Sequence, residues 1–138
     1  MKRILLVAAI LFAIGTQLVA QAKPYNVVFD LTTGDSVTHQ RVIRWINGIL
    51  VGYPDAKIEV VFYGKSLPMV ETLQSSVASD VKKLAAGKNV VFTVCEQAMK
   101  IHNVEKNMLI SGVKIVPDGI YELISKQAEG YGYIKVTN

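Results

Sequence analysis

Cysteine is nearly absent from this chain, since Cys95 is the single thiol among 138 residues. One cysteine cannot form an internal disulfide, so a disulfide-rich scaffold is excluded. The excess of positive over negative charge is also small. The formal net charge of +4 is small, and no cluster of lysine or arginine stands out. The composition therefore gives no support for a nucleic-acid-binding protein, and we expect no nucleic-acid partner.

Long hydrophobic runs are missing after the first stretch of the chain. There, two basic residues precede the almost wholly apolar Ile4–Ile14, and small residues stand at Ala20 and Ala22. This pattern predicts a secretory signal peptide over residues 1–22, cleaved after Ala22. We expect residues 23–138 to form one domain in the periplasm or outside the cell, free of the membrane after cleavage. An uncleaved anchor is the alternative, because the apolar stretch just reaches the length of a membrane span.

Apolar strand patterns and helical patterns alternate through the remaining sequence. This order predicts a single three-layer α/β/α domain with a mostly parallel five-stranded sheet and helices on both faces. The last strand alternates apolar with polar residues, which is typical of a sheet edge. The predicted strands are Tyr25–Leu31, Lys57–Tyr63, Val90–Val94, Val113–Val116 and Tyr131–Val136, and the main helices begin near Val37, Val77, Glu96 and Ile120, with a short helical turn near Val70–Leu73.

Cys95 stands where the third strand ends and a helix begins. In a parallel sheet this junction lies at the carboxyl edge, where open α/β sheets bind their ligands. The backbone N–H groups and the dipole at a helix start favour a thiolate, which is the reactive form of cysteine. Cys95 is therefore the candidate reactive residue. This hypothesis requires the sulfur atom to be open to solvent at that edge.

Other observations leave alternatives to a reactive thiol. Free cysteine is among the most buried residue types and can serve as a small apolar side chain. Glu96 adjoins Cys95, and a neighbouring carboxylate raises the pKa of a thiol. Lys65 and His39, on adjacent loops, can offset that charge, although a surface histidine without a role is the simpler interpretation of His39. His102 is two helical turns beyond Cys95 and too distant to serve as its base.

The motifs of the commoner cofactor sites are absent. Gly64-Lys65-Ser66 follows a strand, but Glu59 stands where a phosphate-binding loop needs its first glycine. No G-x-G-x-x-G follows the first strand, and no cysteine or histidine spacing suits zinc. We therefore expect neither a cofactor nor a metal. Asp30, in an apolar strand, is expected to be paired or edge-exposed.

Most of residues 25–136 resembles the DsrE/DsrF-like sulfur-relay family, in its secreted or periplasmic branch. The resemblance implies a flavodoxin-like or Rossmann-like domain that self-associates as a trimer or hexamer. It also implies that Cys95 accepts or passes persulfide sulfur, exchanging it with a donor or acceptor protein. The stretches that carry the likeness are Val90–Cys95 with Ala98–Lys100 and Leu109–Val113, then Val116–Ile120 with Glu122-Leu123, then Lys126–Ile134, and more weakly Val61–Gly64 with Leu67.

Three functional hypotheses follow. The first is a sulfur-handling protein that carries sulfane sulfur on Cys95. The second is a ligand-binding or oligomeric assembly module with a structural cysteine, in which the apolar loop Leu67-Pro68-Met69 forms a subunit interface. The third is a thiol-dependent enzyme with His39 as the base. The sequence leaves open whether there is catalytic turnover.

Overall fold

A computed structural model describes residues 24–138 of the chain. The expected signal peptide and its cleavage site after Ala22 lie outside these residues. No helix within the described range is long and apolar enough to cross a membrane. The elements in this range are β1 (Asn26–Leu31), α1 (Ser36–Gly52), β2 (Lys57–Phe62), α2 (Ala78–Ala85), β3 (Val90–Cys95), α3 (Glu96–His102), β4 (Lys114–Val116), α4 (Gly119–Ala128) and β5 (Gly132–Val136), with short 3-10 turns at Leu67–Val70 and Lys106–Met108.

The strands form one sheet in the order β4-β3-β2-β1-β5, and every neighbouring pair is parallel. The predicted α/β class, the five strands of the described region and the edge position of the last strand are thus confirmed. Strands β1 to β4 follow one another across the sheet in chain order. The chain then crosses back over the sheet through α4 and places β5 beside β1, at the opposite edge. This crossing puts α4 alone on one face.

The opposite face packs against α1, α2 and α3, and its core is uniformly apolar. Every second residue of the three central strands points into it, because side chains alternate along a strand. Three phenylalanines, Phe29, Phe62 and Phe92, fill its centre and are at most 1% exposed. Val42, Ile46 and Val81 close it from the helices.

The face under α4 is smaller and mixed in character. Its apolar part consists of Val28, Val61 and Leu123, with tyrosine rings at its border. Asp30 and Glu59 are also on this face, because Asp30 is two residues from Val28 and Glu59 is two residues from Val61, and side chains two apart in a strand share a face. One helix and a few apolar contacts therefore cover the face that carries buried charge.

Two loop predictions need correction. The short helical turn expected at Val70–Leu73 lies earlier, at Leu67–Val70, where a proline in the first turn supplies the required φ. Leu67 is 1% exposed and Met69 is fully buried. This burial argues against the expectation that the loop forms a subunit interface, because Leu67 and Met69 belong to the domain's own core. Ser66 anchors the loop by donating a hydrogen bond of 2.7 Å to the Leu31 carbonyl.

Candidate functional site

Cys95 ends β3 and is the N-cap residue of α3, as the sequence predicts. Its side chain points to the α4 face, in phase with Thr93 two residues earlier. The residue is buried, at 7% exposure. The thiol therefore lies at the carboxyl edge of the sheet but is covered, whereas the sequence-based hypothesis required an open sulfur.

The cover is the first turn of α4. A Cβ atom built on Gly119 would lie 3.0 Å from the Cβ atom of Cys95 and 3.7 Å from its Sγ atom. The same Cβ atom would lie 3.3 Å from Val61. Glycine is the residue that permits this close approach of helix and strand. The start of α4 is therefore packed directly against Cys95, which also belongs to the larger apolar cluster.

The carboxylate next to Cys95 in sequence, and the one that precedes Gly119, are both engaged elsewhere. Glu96 forms an ion pair of 3.1 Å with Lys100, one turn along the surface of α3. Asp118 caps α4, where its carboxylate accepts hydrogen bonds from the N–H groups of Ile120 and Tyr121. The charge of Glu96 is thus balanced by a neighbour, although both side chains are exposed enough for solvent to weaken the pair.

Neither histidine lies with the thiol. His39 is 2% exposed, and its Nε2 atom is 2.9 Å from the Thr33 carbonyl oxygen. It belongs to α1, on the opposite face of the sheet from the side chain of Cys95, so the structure argues against His39 as the base. The simpler interpretation of a surface histidine is also wrong, because His39 holds the loop that follows β1. His102 and Lys65 share a separate cavity of about 390 Å³.

A polar cluster that the sequence prediction missed lies on the α4 face between β1 and β5. Asp30 is 3% exposed and accepts hydrogen bonds from the Tyr133 hydroxyl at 2.5 Å and from Lys135 Nζ at 3.0 Å. Lys135 also donates to the Thr32 hydroxyl at 3.3 Å and lies over the ring of Tyr63. The expectation that Asp30 is a paired carboxylate is confirmed. Asp30 and Lys135 are register partners in the pairing of β1 with β5, which places their side chains on one face.

This cluster makes two tyrosines hard to ionise. Burial and the Asp30 carboxylate raise the pKa of Tyr63 to about 12. The hydrogen bond to Asp30, with some burial, raises the pKa of Tyr133 to about 12. In both cases a phenolate would lie beside an existing negative charge. The two hydroxyls therefore remain protonated donors near neutral pH.

A second buried carboxylate anchors the middle of α4. Glu59 accepts a hydrogen bond of 2.6 Å from the Thr93 hydroxyl and lies 3.6 Å from Lys126 of α4. Burial is the main cause that raises the pKa of Glu59, and the nearby Glu122 raises it further. Burial opposes the charge of Lys126, but a hydrogen bond to Glu129 and the charge of Glu59 outweigh it and raise its pKa. The helix that covers Cys95 is thus held partly by titratable groups.

Metal chemistry finds no support in the described range. Residues 24–138 contain no group of three or more histidine, cysteine, aspartate or glutamate side chains placed to hold a metal ion. The buried carboxylates already have lysine, tyrosine or threonine partners.

These features define an open parallel α/β domain with one thiol at a strand–helix junction of its carboxyl edge. The chain belongs to the DsrE/DsrF-like family, whose model matches residues 14–136. No curated protein matches it.

The solved structures that share the fold include the following three. A protein of unknown function, MTH1491 from Methanobacterium thermoautotrophicum, is 25% identical, with a TM-score of 0.74 over 80% of this chain and 98% of its own. The ychN protein from E. coli is 14% identical, with a TM-score of 0.67 over 81% and 98%. A conserved protein of unknown function, BT1422 from Bacteroides thetaiotaomicron, is 17% identical, with a TM-score of 0.64 over 84% and 100%.

Proposed function

We propose that this protein handles sulfane sulfur on Cys95. The observation that carries the proposal is the position of the single thiol, at the carboxyl edge of a sheet in a chain of the DsrE/DsrF-like family. The Tyr133 hydroxyl and Lys135, both bonded to the buried Asp30, lie on the same face of the sheet. We propose further that the protein is exported, that it self-associates, and that a donor or acceptor protein exchanges sulfur with it.

The chemistry needs one thiolate and no external oxidant. The Cys95 thiolate attacks a sulfane sulfur atom of a persulfide or polysulfide. One sulfur–sulfur bond of the donor breaks as the new bond to Cys95 forms, and the donor leaves as a thiolate or a polysulfide shorter by one sulfur atom. An acceptor thiolate later attacks the outer sulfur atom and releases the Cys95 thiolate, so electrons balance over the cycle.

Burial of the sulfur sets a condition on this exchange. Cys95 is 7% exposed and lies against Gly119. A donor therefore requires a local opening around Cys95, and we propose that the first turn of α4 moves to provide it. The same cover would protect a bound persulfide from water and oxidants between transfers, because oxidation of sulfur requires access.

Mass spectrometry tests the proposal directly. Purified protein treated with polysulfide should gain ~32 Da, one sulfur atom on one thiol, and the gain should map to Cys95. Cys95→Ser should show no gain under the same conditions. A wild-type protein that stays unmodified, while a control thiol protein is modified and the same chain reacts after unfolding, would reject sulfur handling by the folded state.

The second candidate is an assembly or ligand-binding module in which Cys95 is structural. The low exposure of Cys95 and its contact with Gly119 favour this function. It predicts slow alkylation of Cys95 in the native protein and rapid alkylation in denaturant. It also predicts that the alkylation rate of the native protein follows global unfolding, whereas a gated thiol reacts faster than global unfolding permits.

A further inference from the structure

The two edges of the sheet are protected unequally. An edge strand presents unpaired backbone N–H and C=O groups, and monomeric proteins blunt such edges with short strands, bulges, prolines or outward charges. At one edge β4 has only three residues. At the other edge β5 has five residues, and its only charged side chain, Lys135, is bonded to Asp30 of β1. Among residues 24–138 no strand pairs with the outer side of β5, so the backbone groups on that side are available to a partner strand.

Exposed aromatic side chains flank this open edge. A cavity of about 520 Å³ lies between α1 and β5 and is lined mainly by Tyr25, Trp45, Tyr53 and Ile134. Trp45 is 40% exposed and Tyr53 is 56% exposed. Tyr133, 44% exposed, extends the apolar surface to the other face of the strand. We name this surface, formed by Tyr25, Trp45, Tyr53, Tyr133 and Ile134, the β5 edge surface.

We propose that the β5 edge surface binds a second copy of this chain, by antiparallel pairing of β5 with β5 of the partner. The inference rests on the proposed self-association and names its surface and register. It does not depend on the chemistry of Cys95.

The sequence of β5 favours one twofold register. Ile134 is the middle residue of Gly132–Val136. A twofold axis at Ile134 sets Tyr133 opposite the partner's Lys135, and both side chains lie on the α4 face. Directly opposed residues have Cβ atoms about 5 Å apart, so the aliphatic stem of Lys135, whose ammonium group is held by Asp30, packs beside the tyrosine ring. An axis at Lys135 would instead oppose two like charges, which is unfavourable.

The same axis also brings the exposed aromatic rings of the two copies together. A twofold axis perpendicular to the sheet keeps corresponding faces on the same side, so the two aromatic cavities meet beside the paired strands. A five-residue strand pair is small beside the ~1,200 Å² that a stable interface buries in total. The rings of Trp45 and Tyr53 supply additional apolar surface. The paired strands would join two five-stranded sheets into one.

Charge substitution and sedimentation test the surface. We expect the purified wild-type protein to sediment as a dimer or a multiple of dimers. Ile134→Lys places two ammonium groups face to face on the axis and should at least halve the mass. Ile101→Lys, at a 75% exposed site on α3, should leave the mass unchanged. Circular dichroism of both variants reports whether the fold is retained.

A cysteine cross-link tests the register. In a Cys95→Ser background, Ile134→Cys places two thiols opposite each other across the axis, and mild oxidation should give a covalent dimer. Ile101→Cys is the matched control and should form no covalent dimer at the same concentration. If Ile134→Lys fails to fold, the cross-link still decides the question, because cysteine is small and uncharged.

The outcomes separate the two proposals. An oligomer whose mass survives Ile134→Lys, or a trimer, keeps self-association and overturns pairing at β5. A monomer overturns both. If the protein is a monomer that binds a fluorescent naphthalene sulfonate dye, and Trp45→Ala abolishes that binding, the aromatic cavity takes a small apolar anion instead of a second copy. Polysulfide labelling of Cys95 is scored separately and is affected by none of these results.

Discussion

The two faces of the sheet are built from the same strands and differ in almost every physical property. On the α1–α3 face the strand residues are apolar, and three phenylalanines form the centre. On the α4 face the same strands present Asp30, Glu59, Thr93 and Cys95. One face therefore stabilises the domain through apolar burial, which does not depend on pH, while the other holds buried polar groups under a single helix.

This difference indicates where function can change without loss of the fold. The small apolar cluster under α4 is a minor part of the core. Local opening costs least where apolar contacts are few. We therefore expect local opening of the domain to begin at α4, and the predictions below test that asymmetry.

Truncation in the two cores should give the largest difference. Phe92→Ala removes a fully buried ring from the α1–α3 face and should cost about 3–5 kcal/mol of unfolding free energy. Leu123→Ala, in the small cluster under α4, should cost about 2 kcal/mol, the low end of its class, because partly exposed neighbours can close the gap. Urea unfolding measures both. Equal losses would remove the energetic distinction between the faces.

Two glycine-to-alanine substitutions should distinguish the effect of a steric contact on stability from the effect of helix propensity. Gly119→Ala puts a Cβ atom 3.0 Å from that of Cys95 and should cost about 1–3 kcal/mol through overpacking. It should also speed alkylation of Cys95, because α4 has to shift outward. Gly48→Ala in α1 meets no atom within 4 Å and should instead stabilise by about 0.5–1 kcal/mol. A neutral Gly119→Ala would mean that α4 does not seal the thiol.

Much of this fold follows from the sequence, for reasons that particular residues show. Strand–helix alternation predicts the parallel sheet, and the change from the apolar run to Glu96 places the junction at Cys95 correctly. Solvent access at Cys95 was not predictable, because it depends on Gly119, which is 24 positions later in the sequence and crosses above the sheet. The pairing of Asp30 with a partner was expected, but the identity of that partner depends on β5 lying beside β1, which local pattern does not determine.

The titration of Glu59 should give the α4 face a pH dependence that the other face lacks. Burial raises the folded-state pKa of Glu59 above its ordinary value of 4.5. The folded state thus binds the proton more tightly, so the stabilisation is complete below the unfolded pKa and is lost as the pH rises through the folded pKa. Glu59→Gln should flatten this decline in unfolding free energy and can keep the hydrogen bond from Thr93. Asp80→Asn, an exposed site on α2, is the control; an unchanged pH profile in Glu59→Gln would contradict the assignment.

The smallest effect should appear in the tyrosines beside Asp30, and it compares two residues of one cluster. The leading cause of the high pKa is the Asp30 hydrogen bond for Tyr133 but burial for Tyr63. Asp30→Asn removes the charge, so the pKa of Tyr133 should fall further from about 12 than that of Tyr63. Phenolate absorbance followed against pH measures this, with Tyr133→Phe and Tyr63→Phe assigning the transitions and Tyr121→Phe removing an exposed tyrosine as control. Equal shifts would mean that the carboxylate, rather than burial, governs both hydroxyls, and that the α4 face is more open to water than its packing indicates.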